Sequence, residues 1–316
     1  MKVCITRKEQ VATDIVSFEL TAALSTTLPP FSAGSHIDVH IGDSVVRQYS
    51  LYNSPADSHR YCIAVLRKLD SRGGSIAMHA LETGTELEIS EPRNHFLLDP
   101  SAAHTILLAG GIGITPILCM VEQLEQIGAS YELHYCVRDA ERAAFKGRFA
   151  KPDVAARVQF YYDNTPEKGR MNFAAVLGEA ATGKHVYVCG PGGFIDAALN
   201  AARKNGWSES NLHREYFTAA EALTDETNAG FKVKIASSGR VVNIKPEQTI
   251  LAALTEAGID IPASCEQGVC GTCLTRVLDG DPDHRDVYMT DEEHAAGDQF
   301  TPCCSRSKSA LLVLDL

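Results

Sequence analysis

Cys265-Glu266-Gln267-Gly268-Val269-Cys270-Gly271-Thr272-Cys273, followed by 29 residues and then Cys303, is the stretch that decides the reading of this chain. The spacing is C-x4-C-x2-C with a distant fourth cysteine. Three thiolates crowded into one loop, with a fourth delivered from far along the chain, is how a compact loop encloses a plant-type [2Fe–2S] cluster. Zinc sites usually present two close C-x2-C pairs instead. The flanking Ala263, Ser264, Gly268, Gly271 and Thr272 are small, so backbone N–H groups can turn toward sulfur and tune its potential. Cys304 sits beside Cys303 and could replace it as ligand; Cys303 is the expected one.

Around this loop the hydropathy pattern describes a small α+β domain of ferredoxin-like (β-grasp) type. Phe231–Ile235 and Val241–Ile244 alternate about Ser237-Ser238-Gly239, a hairpin signal, and the spacing of Ile250, Leu251 and Leu254 predicts a short helix before the cysteines. Upstream, TAAEALTDETNAG (218–230) is small, polar and acidic, as a linker would be. Residues 1–100 read differently again. Short alternating runs at Val16–Leu20, Ile37–Ile41 and Tyr61–Val65, with Pro29-Pro30, Gly34, Gly42-Asp43 and Gly73-Gly74 between them, predict an antiparallel β-barrel without a long helix. From residue 104 buried-type strands at Thr105–Ala109, Tyr131–Val137, Val158–Tyr162 and Val186–Cys189 alternate with helical runs, which predicts a doubly wound parallel α/β sheet. The expected boundaries are 1–100 barrel, 101–220 nucleotide domain, 221–230 linker and 231–316 cluster domain.

Two glycine turns follow strands of the middle region. In Gly110-Gly111-Ile112-Gly113-Ile114-Thr115-Pro116 a strand hands over to a helix, where backbone can approach a pyrophosphate and the helix N-terminus offers free N–H groups. Cys189-Gly190-Pro191-Gly192-Gly193 is the second, and two such turns at carboxyl ends of parallel strands can face one crevice. In the barrel, Arg47, Tyr49 and Leu51 share a strand face by period 2; a cation beside an aromatic suits a phosphate-bearing planar ring, or the face is that of an ordinary half-exposed strand. Gly73-Gly74-Ser75, after Arg72, offers N–H groups and a hydroxyl to a phosphate, or is a plain turn.

Taken together, R-x-Y-S, G-G-S, G-G-I-G-I-T-P, C-G-P and the terminal cysteine pattern occur in an order that resembles the phthalate dioxygenase reductase family, which includes vanillate O-demethylase reductases. The resemblance spans essentially the whole chain. It implies an FMN-binding barrel, an NAD-binding domain and a plant-type ferredoxin domain, passing electrons from NADH to a separate Rieske-type oxygenase of aromatic catabolism. On it, Arg47, Tyr49 and Ser50 hold flavin and phosphate; Ala64, Val65 and Leu66 line the isoalloxazine edge; Gly74 and Ser75 complete the phosphate site. Gly111 and Gly113 lie near the pyrophosphate, with Gly190 and Pro191 in the second turn. Thr115 is near the flavin–nicotinamide contact and Cys189 near the nicotinamide. Phe217 shields the flavin, or anchors a domain end. Glu215 orients the nicotinamide, unless it is an ordinary exposed carboxylate. FMN converts a two-electron hydride into single electrons for the cluster. Plant-type clusters sit near about −400 mV and Rieske centres above about −150 mV, so delivery runs downhill by about 0.25 V.

Composition narrows the rest. A net charge of −11 argues against nucleic acid, and no apolar run is long enough for a membrane span. Four of ten cysteines belong to the cluster and the rest are scattered, which fits a reducing, cytoplasmic setting; the reductase is expected to be a monomer. Residues 279–298 carry eight carboxylates against one cation, Arg285, and read as an acidic docking face or a solvated loop. Asp139 disfavours the 2′-phosphate of NADPH while Arg138 works the other way. A cytochrome P450 as acceptor, or a non-enzymatic redox sensor, is an alternative that the residues leave open.

Overall fold

The computed structural model describes residues 1–23, 27–42, 45–68, 73–165, 170–217 and 229–316. Asp43, Arg72 and residues 218–228 of the expected linker lie outside that set. The chain divides into two compact units, Met1–Glu215 and Tyr216–Leu316.

The first unit opens with an antiparallel sheet: β1 (Lys2–Ala12), β2 (Ile15–Ala22), β3 (Ser35–Ile41), β4 (Val45–Ser50), β5 (Arg60–Leu66), β6 (Glu86–Ile89) and β7 (Arg93–Asn94). Its order is β4-β3-β6-β1-β2-β5, with β7 on β3, and the end strands β4 and β5 come back into contact. Val3, Phe18, Leu20, Ile37, Val39, Tyr61 and Ile63 fill the interior, since period-2 alternation sends one face of each strand inward. One short helix joins the strands. Gly73-Gly74-Ser75 is the start of a helix, α1 (Gly74–Ala80), whose Met78 is buried in the barrel core.

The second sheet is parallel throughout. It comprises β8 (His104–Gly110), β9 (Tyr131–Val137), β10 (Val158–Tyr162), β11 (Lys184–Cys189) and β12 (Leu212–Glu215), in the order β10-β9-β8-β11-β12. Helices α2 (Ile114–Ile127), α3 (Pro152–Ala155), α4 (Phe173–Leu177) and α5 (Gly192–Lys204) connect the strands. After β8 the chain builds outward through β9 and β10, then returns to the other side of β8 with β11. The order therefore reverses between β8 and β11, and the crevice outside their carboxyl ends is where such sheets bind ligands. Both glycine turns lie there.

The second unit carries β13 (Phe231–Ile235), β14 (Val241–Ile244), α6 (Ile250–Glu256), β15 (Thr275–Asp279), β16 (Pro282–Asp283), α7 (Asp291–Ala296), β17 (Gln299–Phe300), β18 (Arg306–Ser307) and β19 (Leu311–Leu314). Its main sheet runs β14-β13-β19-β15-β17, and β16 pairs β18. In β13, Phe231, Val233 and Ile235 point inward while Lys232 and Lys234 face water. α6 adds Ile250, Ala253 and Leu254 to the same core.

The acidic stretch 279–298 is not a loop. It spans β16 and α7, and α7 starts with a reciprocal capping box in which Thr290 accepts from Glu293 N–H and Glu293 accepts from Thr290 N–H. Asp286 is buried, Asp283 pairs with Arg285 at 2.7 Å and Asp281 with Lys308 at 3.7 Å. Several of its charges therefore serve the fold. Among the described residues, no helix is long and apolar enough to cross a membrane.

Candidate functional site

The two glycine turns of the first unit touch. A Cβ on Gly113 would lie 2.3 Å from the Cys189 carbonyl oxygen, and one on Gly110 2.9 Å from Pro191 Cδ. Gly113 is thus required by the contact between turns, whereas Gly111, at φ 55, faces open space where backbone can meet a ligand. Thr115 is buried at the start of α2, and its hydroxyl donates to Ile112 O at 3.0 Å, bracing the turn. Gly113→Ala is expected to push β8 and β11 apart, costing about 1–3 kcal/mol. A lower melting temperature with a raised KM for NADH would show it; a variant indistinguishable from wild type would refute it.

The barrel meets this end of the parallel sheet. The Cys119 thiol of α2 donates to Asn53 O at 3.1 Å, just beyond β4, and Ala33 N–H donates to Gln123 at 3.3 Å. Ser50, the last residue of β4, donates from its hydroxyl to Glu215 Oε2 at 3.4 Å. Glu215 in turn stands opposite Cys189 in the β11/β12 register. Ser50, Cys189 and Glu215 therefore converge from three strands, although they are 165 residues apart at the extremes. Burial pushes the Glu215 carboxyl up to about 8, so it is mostly protonated at neutral pH. Burial, and then the nearby Glu215, hold the fully enclosed Cys189 thiol well above its usual range; it is a neutral packing group at the strand end, not a thiolate nucleophile.

Arg47 and Tyr49 share one face of β4 as expected, while Leu51 lies past the strand end in the core. A Cβ on Gly74 would fall 2.6 Å from Arg47 Nε, so the guanidinium lies against the start of α1 only because that residue is glycine. Arg47 and Gly74 are thus brought together as a phosphate site needs, and the fit to a flavin phosphate rests on that closeness. The Tyr49 phenol is held neutral by burial. Ala64 and Val65 are buried on β5 and Leu66 half-buried at its end. The Val65 carbonyl is engaged by His79 Nε2 at 2.8 Å. Ser75 does not present a free hydroxyl: it donates to Lys68 O at 3.2 Å and accepts from Lys68 N–H at 3.1 Å.

Asp139 changes its meaning as well. Its carboxylate pairs with Arg142 at 2.6 Å and accepts the Glu141 and Arg142 N–H groups, so a neighbouring cation offsets its charge. Tyr216 and Phe217 are half-buried where the second unit begins.

In the second unit Cys265, Cys270, Cys273 and Cys303 are all buried, while Cys304 is partly exposed. The Cys265 thiol hydrogen-bonds the Cys270 sulfur and holds it below the usual thiol range; the Thr272 hydroxyl lies 3.2 Å from the same sulfur. Cys303 is crowded by both Cys273 and Cys304. Gln267 N–H donates to Cys265 Sγ at 3.3 Å, so the loop aims a backbone donor at sulfur. Cys303 packs with Cys273 against Leu251; Cys304 packs against the edge of the same group, with its sulfur also beside the Thr301 and Ser305 hydroxyls. A buried four-thiol nest with an inward N–H donor fits a [2Fe–2S] cluster.

Comparison with known proteins agrees with this geometry. Residues 233–308 match the 2Fe-2S iron-sulfur cluster binding domain, and residues 89–212 match the dimethylamine monooxygenase subunit DmmA-like N-terminal domain. The chain is 50% identical over 317 residues to the vanillate O-demethylase oxidoreductase of Pseudomonas sp. (strain HR199 / DSM 7063), covering 100% of both. It is 39% identical to the phthalate dioxygenase reductase of Burkholderia cepacia, covering 97% of that protein. The solved structure of phthalate dioxygenase reductase, described as modular for electron transfer from pyridine nucleotides to [2Fe–2S], superposes with a TM-score of 0.80 at 39% identity, covering 100% of this chain and 98% of that one. An intact type IV self-sufficient cytochrome P450 monooxygenase gives 0.82 at 39% identity, with this chain spanning 41% of it.

A flavin barrel, a nucleotide-binding parallel sheet and a four-cysteine domain in one chain define an electron-transfer reductase. The chain belongs to the phthalate dioxygenase reductase family, as an NADH-dependent oxidoreductase that uses FMN and a [2Fe–2S] cluster to supply an oxygenase.

Proposed function

We propose that the acceptor is a Rieske-type oxygenase acting on a methoxylated aromatic acid of the vanillate kind, and that this chain serves it as a cytoplasmic monomer. Its full-length 50% identity to a vanillate O-demethylase oxidoreductase carries the reading. The cytoplasmic setting is supported by ten cysteines with no disulfide among them, an unusual load for an oxidising compartment. The proposed organisation is 1–100 for flavin, 101–220 for NADH and 231–316 for the cluster, joined by 221–230.

When bound, FMN would supply the conversion of a two-electron hydride from NADH into the single electrons a cluster can take. Arg47, lying on Gly74, holds the phosphate, with Tyr49 and Ser50 beside it and Ala64, Val65 and Leu66 along the ring edge. Gly111, Gly113, Gly190 and Pro191 shape the nucleotide crevice, and Thr115 keeps the first turn closed by its bond to Ile112. Glu215, protonated and half-buried, can donate a hydrogen bond to a carboxamide, and Ser50 orients it. Cys265, Cys270, Cys273 and Cys303 hold the cluster, with Cys189 keeping an uncharged wall at the nicotinamide end of the crevice.

Anaerobic titration with NADH tests the circuit: flavin absorbance bleaches and the reduced-cluster EPR signal appears together, then both reverse on adding a vanillate demethylase oxygenase. A self-sufficient P450 likeness favours a second acceptor class, so a cytochrome P450 is tested in parallel. Faster reduction of the P450 would replace the oxygenase reading.

A further inference from the structure

We propose that His284, Asp286 and His294 form a second metal site, for a divalent cation of zinc type, on the segment that braces the cysteine loop. It requires nothing of the acceptor reading above. The three side chains each offer a ligand atom, and these atoms lie within 4.8 Å of one another. His294 Nε2 is 3.2 Å and His284 Nδ1 3.9 Å from the same oxygen, Asp286 Oδ1. Zinc–nitrogen and zinc–oxygen bonds of about 2.0–2.1 Å place tetrahedral ligands about 3.3 Å apart, so the carboxylate edge is already of the right length on one side. The imidazoles stack with centroids 4.4 Å apart.

Two further features distinguish this group from a surface cluster. The His284 side chain is only 8% exposed, yet among the described residues neither of its ring nitrogens has a hydrogen-bond partner. A buried imidazole left in that state is an exception to the rule that buried polar groups are paired, and a cation would use its lone pair. The Asp286 carboxylate is already aimed at the histidines, because Oδ2 accepts from Tyr288 N–H at 3.2 Å and Met289 N–H at 2.8 Å and so leaves Oδ1 to them. Such outer bonds are how ligating carboxylates are oriented. Two nitrogens and one oxygen select zinc-like ions over magnesium or calcium. His294, a quarter exposed on α7, leaves a path for the ion and for a water as fourth ligand. The segment is fastened to the cysteine loop by Val287 N–H to Gly268 O at 3.0 Å, and to the residue after Cys304 by Arg285 N–H to Ser305 Oγ at 3.2 Å.

The test is equilibrium dialysis of the holoenzyme against micromolar Zn²⁺ in excess Mg²⁺, with zinc and iron counted by mass spectrometry and cluster integrity followed by circular dichroism. One zinc per chain with unchanged iron is expected, and His294→Gln, a change at a quarter-exposed side chain that leaves the Asp286 backbone bonds in place, should weaken zinc at least about tenfold. His284→Ala, if it folds with full iron, should do the same. Zinc bound equally well by His294→Gln, zinc gained only as iron is lost, or no zinc above background would overturn the proposal.

Discussion

Cys303→Ser is expected to remove the cluster and cut electron delivery to the oxygenase at least about 100-fold, while NADH still reduces the flavin at the wild-type rate. Serine offers a hard oxygen where iron–sulfur chemistry needs a soft thiolate, and the substituted residue lies in the buried nest with Cys273 and Leu251. The nucleotide crevice and the flavin strand lie in Met1–Glu215, with their own core, so hydride transfer has no stake in that sulfur. Ferricyanide, which takes electrons from flavin directly, should be reduced normally, whereas cytochrome c and the oxygenase should not. Cys304→Ser is the control. Its sulfur sits among Thr301 and Ser305 hydroxyls, and its loss should leave the visible and EPR signatures intact. If the two variants exchange phenotypes, the fourth ligand is Cys304.

The second large effect is on stability against pH. Glu215 titrates near 8 in the fold and near 4.5 when exposed, because burial disfavours its charge. Below pH 4.5 both states hold the proton and the group contributes nothing. Between pH 4.5 and 8 the unfolded chain releases its proton and the folded chain keeps it, so stability falls as pH rises, levelling off above 8. At about 1.4 kcal/mol per pH unit the ceiling is about 5 kcal/mol; the side chain's partial access to water brings the expected loss to about 2 kcal/mol. Glu215→Gln cannot ionise. Relative to wild type it should gain that amount between pH 5 and 8.5 in denaturant midpoints, and parallel pH profiles for the two proteins would refute the buried-carboxyl account.

Much of the architecture was legible because it follows from local periodicity. β9, β10, β13 and β14 have the bounds their apolar patterns predict, and β8 and β11 differ only by a residue or two at their ends. Alternation and continuous burial are properties of neighbouring residues, so a sequence states them directly. α1 escaped because Gly73-Gly74 is a turn signal, and its helix is stabilised by burying Met78 in the barrel rather than by strong propensity. α7 escaped because its acidic run looks like solvated loop; the signal that could have found it is Thr290 with Glu293 three residues on, a capping box.

The sites divide along the same line. Ligand spacing within one loop is a local fact, so the sequence by itself determined that this is a cluster protein, and the order of its motifs determined the family. What sat outside its reach were contacts between residues distant in the chain. Only the tertiary structure placed Glu215 against Ser50 and Cys189, laid Arg47 on Gly74 and showed that Ser75 is occupied by Lys68. Only it buried Asp286, turning one charge of an apparent docking face into an anchor for two histidines. The physical reason is that burial and charge state depend on what packs against a side chain, and packing partners here come from other strands, up to 165 residues away.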